Sequence, residues 1–272
     1  RCEEALVGEE ISAMTVGNAP REKVLAAAEE ALGYPVALSA KRALTKDRYI
    51  WILRRAPRYD AAFGSASATK EGENACGDTF SVSRIDERTF LCALSDGMGS
   101  GEYARRISDC ALSLTESFYR AGLDGDTVLS TVNRLLTFNR EESFACMDIA
   151  TVSLDTGAAD IVKIGSPLGF ILRADRVEVL ESDSLPLGIL DGVRPTVMRR
   201  TLGEGDVLLF VSDGITAAFG SGADVADFLC REQPTNPQAL AEELVQAAKE
   251  RTGGRAGDDM TALAVRLFER AA

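Results

Sequence analysis

Four acidic positions sit at the ends of short apolar runs or beside glycine: Asp78 in CGDTF, Asp96 in LSDGMGSGE, Asp213 in VSDGIT, and the pair Asp258–Asp259 in AGDDMTAL. Two of them repeat one recipe, an apolar run (FLCALS or VLLFVS) leading directly into Asp-Gly. A carboxylate at the end of a rigid strand is held in place, and the glycine after it can turn sharply and present its carbonyl oxygen. Carboxylates, carbonyls and water are the ligands that hard cations such as Mg²⁺ and Mn²⁺ take. Without cations, two carboxylates ~5 Å apart repel by roughly 3 kcal/mol at an effective dielectric of about 20. Two divalent ions reverse that balance. Any single aspartate beside glycine is an ordinary turn; four such positions, two with the same lead-in, point to one shared cation site.

The chain has no histidine among its 272 residues. That excludes Ser-His-Asp and Cys-His catalysis, imidazole bases and zinc sites built on histidine. None of the cysteines Cys2, Cys76, Cys92, Cys110, Cys146 and Cys230 falls in a CxxC pair or has arginine six residues on, so a cysteine-phosphatase loop is absent. Several lie in apolar runs such as FLCALS, which predicts buried, reduced thiols rather than a disulfide scaffold. DGMGSG is no dinucleotide loop, because Glu102 stands where the third glycine of GxGxxG belongs, and no Gly-Lys dipeptide exists for a Walker A loop. LDGDTV outlines an aspartyl-phosphate motif, but RAGL before it is no buried strand; Asp124 and Asp126 read as caps of the next helix. Net charge is −12 without a basic run, which argues against a nucleic-acid partner.

These aspartates need a scaffold of strands. Residues 20–33 read as a helix, with Pro20 in its first turn and Gly33 at its stop, followed by strand-like YPVALSA and RYIWILRR. From Tyr59 come DAAFGSASA, DTFSVSRI and TFLCALS, then amphipathic helices at 102–121 and 126–138. A second block of strands follows: FACMDIATVSLD, AADIVKIG, PLGFILRA, RVEVLES, PTVMRRTL and DVLLFVSD. Helices at 222–231 and 237–251 and a last strand, MTALAVRLF, close the chain. Strands grouped with strands predict antiparallel sheets covered by helices, an α+β fold, rather than alternating βαβ units. Asp148 interrupts an apolar strand and faces either the core or the site. Residues 1–57 read as a small α/β segment and 58–272 as the main domain. No run approaches the ~18–20 apolar residues of a membrane span. Beginning at Arg1 without a signal-peptide pattern, the chain is expected to be part of a longer protein.

CGDTF, DGMGSGEYA, SDGIT and GDDMT, in this order, resemble the metal-dependent PPM protein phosphatases, and within them the stage II sporulation protein E phosphatase domain. GSPLGFILR and LPLGIL resemble the same subfamily, and the likeness spans about 58–268. It implies an α-β-β-α sandwich, two antiparallel sheets flanked by helices, and two divalent cations, Mn²⁺ or Mg²⁺. Asp96 would bridge them with the Gly97 carbonyl; Asp213 and Asp258 or Asp259, by position Asp258, would bind from other strands; Asp78 would act mainly through water. A cation-activated water would then attack a phosphoserine on a partner, by resemblance an anti-sigma-factor antagonist. The likeness further implies that 1–57 ends a regulatory module, that helices 102–121 and 126–138 serve switching and homodimer association, and that this cytoplasm-facing part belongs to a membrane-anchored protein. One departure stands out. The arginine that clamps phosphate in broader relatives has no counterpart in SASATKEGENACGD, where Lys70 is the stand-in. Rival readings are a catalytically silent phosphoprotein-binding scaffold and a hydrolase of small phosphate esters.

Overall fold

In the computed structural model, which describes residues 2–3, 10–138, 143–165, 168–190, 195–231 and 236–270, the chain divides into two units, Arg1–Arg58 with Arg270–Ala272 and Tyr59–Glu269. The smaller unit holds β1 (Cys2–Glu3), β2 (Glu10–Val16), α1 (Arg21–Leu32), β3 (Val36–Thr45) and β4 (Arg48–Arg55), its sheet ordered β1-β2-β4-β3. Pro20 precedes α1, and Gly33 ends it at φ 76°, its N–H bonding the Glu29 carbonyl. Ile11, Ala13, Trp51 and Leu53 bury one face of the sheet against Val24 and Ala28.

The larger unit runs β5 (Tyr59–Ala68), β6 (Asp78–Arg84), β7 (Thr89–Gly97), α2 (Gly101–Arg120), α3 (Gly125–Thr137), β8 (Ala145–Ser153), β9 (Ala158–Ile164), β10 (Leu168–Leu172), β11 (Val177–Glu181), β12 (Thr196–Thr201), β13 (Val207–Val211), α4 (Asp213–Phe219), α5 (Gly222–Arg231), α6 (Pro237–Arg251) and β14 (Met260–Glu269). Two five-stranded antiparallel sheets form, ordered β11-β10-β13-β14-β5 and β12-β9-β8-β7-β6. Strand β7 shows why they stack: Phe90, Cys92 and Leu94 point into the layer between the sheets, while Leu91 and Ala93 pack under α2 and α3. Helices α4–α6 cover the other sheet through Ile215, Leu229, Leu240 and Leu244. The result is the expected four-layer α-β-β-α sandwich.

Several local expectations change on contact with the structure. Strand β2 and helix α4 had no clear pattern in the sequence. Asp124 caps α3 as expected, accepting the Thr127 N–H at 3.0 Å. Burial of the thiols holds for Cys92, but Cys110 and Cys230 are exposed, because they lie on the solvent sides of α2 and α5.

Asp148 points between the sheets, where its Oδ1 accepts from Lys163 Nζ at 2.6 Å; the two side chains are 1% and 0% exposed. Sequence reading overlooked Lys163. Replacing it alone by methionine is expected to destabilise the protein by about 3–5 kcal/mol, because a carboxylate stays buried without its cation. Urea unfolding measures this; a loss below about 1 kcal/mol would mean that Asp148 finds another counter-charge.

Candidate metal centre

The register of one sheet and the turns of the other bring the aspartates together. Asp78 opens β6 and stands directly opposite Asp96 near the end of β7. Asp213 opens α4 just after β13, and Asp258–Asp259 immediately precede β14. All five line one cavity of about 180 Å³, with Gly97, Met98, Gly99, Phe144, Ala145, Cys146 and Pro186. Of the stretches singled out in the sequence, Ser166 and Pro167 of GSPLGFILR lie outside the described residues.

The sharp turn expected of the two Asp-Gly glycines is not made by them. Neither Gly97 nor Gly214 has a positive φ. Glycine is required there by close approach: a Cβ at Gly97 would come within 2.1 Å of the Ala104 carbonyl oxygen on α2, and one at Gly214 within 2.2 Å of that of Asp259. The sharp turning falls to Gly99 and Gly101, at φ 104° and 69°.

Asp258 and Asp259 are not equivalent. Asp259 is buried, and its two oxygens accept the Lys70 and Gly77 N–H groups at 2.8 and 2.7 Å, pinning the loop before β6. The Asp258 side chain is 48% exposed, 3.3 Å from Lys70 Nζ. Asp258 is therefore the less committed carboxylate, and Lys70 sits beside it rather than apart in solvent.

Like charges directly opposite one another destabilise a sheet. Burial, then the charges of Asp78 and Asp213, push the Asp96 carboxyl up to about 8. Burial likewise raises Asp78 to about 6, partly offset by the neighbouring Ser212 and Thr261 hydroxyls. Asp213 is raised by burial and then by Asp258. Neither Asp78 oxygen has a hydrogen-bond partner of good geometry, although both are buried. Orphaned buried carboxylate oxygens facing further carboxylates fit a hard divalent cation well. Among the described residues no three His, Cys, Asp or Glu side chains already stand in place to hold one ion. A cation here would thus draw on backbone carbonyls and water too, as Mg²⁺ ordinarily does.

The raised pKa values carry a sign. A carboxyl whose folded pKa exceeds its unfolded value binds its proton more tightly in the fold, so its contribution to stability declines as pH rises from about 4, through about 6 for Asp78 and about 8 for Asp96. A cation competes with those protons. The rise in melting temperature on adding Mn²⁺ is therefore expected to be small at about pH 5.5 and to grow up to about pH 8.5. An equal shift at both ends, by calorimetry, would place cation binding elsewhere.

The stage II sporulation protein E (SpoIIE) family model matches residues 86–268. The chain is similar to stage II sporulation protein E of Bacillus subtilis (strain 168), 29% identical over 214 residues, which are 77% of this chain and 26% of that protein. It spans about a quarter to a third of the length of the curated relatives of that name. A solved structure of the PP2C phosphatase domain with a fragment of the regulatory domain of SpoIIE from Bacillus subtilis matches with TM-score 0.78 at 24% identity, over 96% of this chain and 80% of that one. RsbX in complex with magnesium matches with TM-score 0.60 at 20% identity, over 77% of this chain and 96% of that one. At these identities the two structures establish the fold, the PPM-type sandwich.

Proposed function

This chain belongs to the stage II sporulation protein E (SpoIIE) family, and we propose that it is a metal-dependent serine/threonine phosphatase that hydrolyses a phosphoserine on a partner protein. The observation that carries the proposal is the set of mutually repelling carboxylates around one cavity, with the buried Asp78 oxygens left without hydrogen-bond partners of good geometry. Two divalent cations, Mn²⁺ or Mg²⁺, would be held by Asp96, the Gly97 carbonyl, Asp213 and Asp258, with Asp78 acting mainly through water. Bound there, cations supply a water of lowered pKa and positive charge against the phosphoryl oxygens, which offsets the missing histidine.

The rest falls to the chain itself. Asp96, near the end of β7, and Asp213, opening α4 just after β13, would hold the site's geometry from opposite sheets. Asp259 does not compete for a ligand role; it ties down the loop that carries Lys70. Lys70, beside Asp258 at the cavity, would offer the substrate phosphate a point charge. The partner we favour is a phosphorylated anti-sigma-factor antagonist. Residues 1–57 would be the end of a regulatory module, α2 and α3 a surface for switching and homodimer association, and the membrane anchor a part of the protein outside this cytoplasm-facing chain.

Phosphate release from a phosphoserine protein and from p-nitrophenyl phosphate, each with and without Mn²⁺, tests the reading. Release from the protein that needs Mn²⁺ is expected. Release from the small ester alone would favour a small-molecule hydrolase. Binding of the phosphoprotein with no release from either would favour a silent scaffold.

A further inference from the structure

Four charged side chains fall along the inner face of one sheet. Asp78 is directly opposite Asp96, and Asp148 is directly opposite Lys163. Cys146 is the partner of Asp96 and Leu94 that of Asp148. Asp148 is therefore the diagonal neighbour of Asp96, on the same face and two residues along the adjacent strand. Diagonal neighbours stand about 7–8 Å apart, their Cβ atoms somewhat closer, a span that one water between two carboxylates can bridge. A narrow crevice of about 10 Å³ lies at this spot, walled by Asp96, Cys146, Asp148 and Ser212 among others. That is close to the smallest space that takes a single water, and its polar walls supply the partners such a water needs.

The inner face has no packing need for charge here. Its surroundings are apolar, with Phe210 over the ammonium at 5.8 Å and Ile161 two residues before Lys163. Burying two ions costs several kcal/mol each, and apolar residues of the same volume often serve stability as well or better. We propose that Asp148 and Lys163 are positioning residues for Asp96. Lys163 holds Asp148 in one rotamer, and Asp148 holds a water whose second O–H bonds the rear of the Asp96 carboxylate, so that its remaining lone pairs face the cavity. The inference rests on the reading that Asp96 binds cations.

The test replaces the pair by apolar residues of similar size, Asp148→Leu with Lys163→Met, and measures Mn²⁺ affinity by calorimetry in wild type and variant. An unchanged or raised melting temperature of the metal-free variant is expected. Mn²⁺ affinity is expected to fall about 10–100-fold, as when other outer partners of metal ligands are removed. Equal affinity in a folded variant would overturn the proposal, because a purely structural pair leaves Mn²⁺ binding untouched. Should the double variant not fold, Asp148→Val with Lys163→Leu, which likewise removes both charges together, is read the same way. A wild type that binds no Mn²⁺ would overturn the cation-site reading itself, and the positioning role with it.

Discussion

Replacing Asp96 by alanine is expected to abolish Mn²⁺-dependent phosphate release while making the metal-free protein more stable. The loss follows from position: Asp96 faces Asp78 across the ladder and shares the cavity with Asp213 and Asp258. Losing about 4 kcal/mol of transition-state stabilisation, a modest share of what cations supply, lowers the rate on the order of a thousandfold. The stability gain follows from the same burial. Asp96 is the carboxyl whose pKa is pushed up to about 8, so above that pH the fold carries an ion it disfavours. Alanine removes that ion and relieves Asp78; a gain of about 1 kcal/mol corresponds to about 2–4 °C for a chain of this size. Phosphate assays and thermal melts above pH 8 without metal check both halves. Activity that survives would remove Asp96 from the site. A lower melting temperature would mean that the carboxylate has a stabilising partner in the metal-free fold.

Much of this site is legible in the amino-acid sequence. The apolar runs FLCALS and VLLFVS had to be strands, and they became β7, with Asp96 near its end, and β13, with Asp213 opening the helix just after it. The amphipathic periods of α2 and α3 came within a residue of their observed bounds. Pairing register was not legible, since a strand reads the same whichever residues it faces. Register places Asp78 opposite Asp96 and Lys163 opposite Asp148. A signal for Lys163 did exist. Asp148 and Lys163 each interrupt an otherwise apolar inward face, and two such interruptions of opposite sign are best buried as a pair. Helix α4 escaped because seven residues are too short for a periodic pattern. The role of Gly97 escaped for another reason: close approach of two backbones belongs to tertiary packing.

Gly97→Ala is the substitution that separates these causes. The added Cβ would lie 2.1 Å from the Ala104 carbonyl oxygen and 2.8 Å from its carbon, so backbone rather than a flexible side chain must give way. Overpacking a core ordinarily costs about 1–3 kcal/mol, and an immovable neighbour places this case at about 3 kcal/mol or above. The strain spreads along α2. Ser108 Oγ donates to the Gly77 carbonyl at 2.6 Å, and Gly77 directly precedes Asp78. Displacing the helix therefore moves two of the carboxylates at once, and a shift of about 1 Å costs roughly a hundredfold in rate. Gly99→Ala supplies the contrast: φ is 104° there but the space is open, so it bears backbone strain without pushing α2. Gly97→Ala is expected to lose both activity and stability, whereas Asp96→Ala loses activity and gains stability. Melts and phosphate assays on the two variants side by side would show it. If Gly97→Ala melts with wild type, α2 is free to move away from β7, and the site's geometry does not depend on that contact.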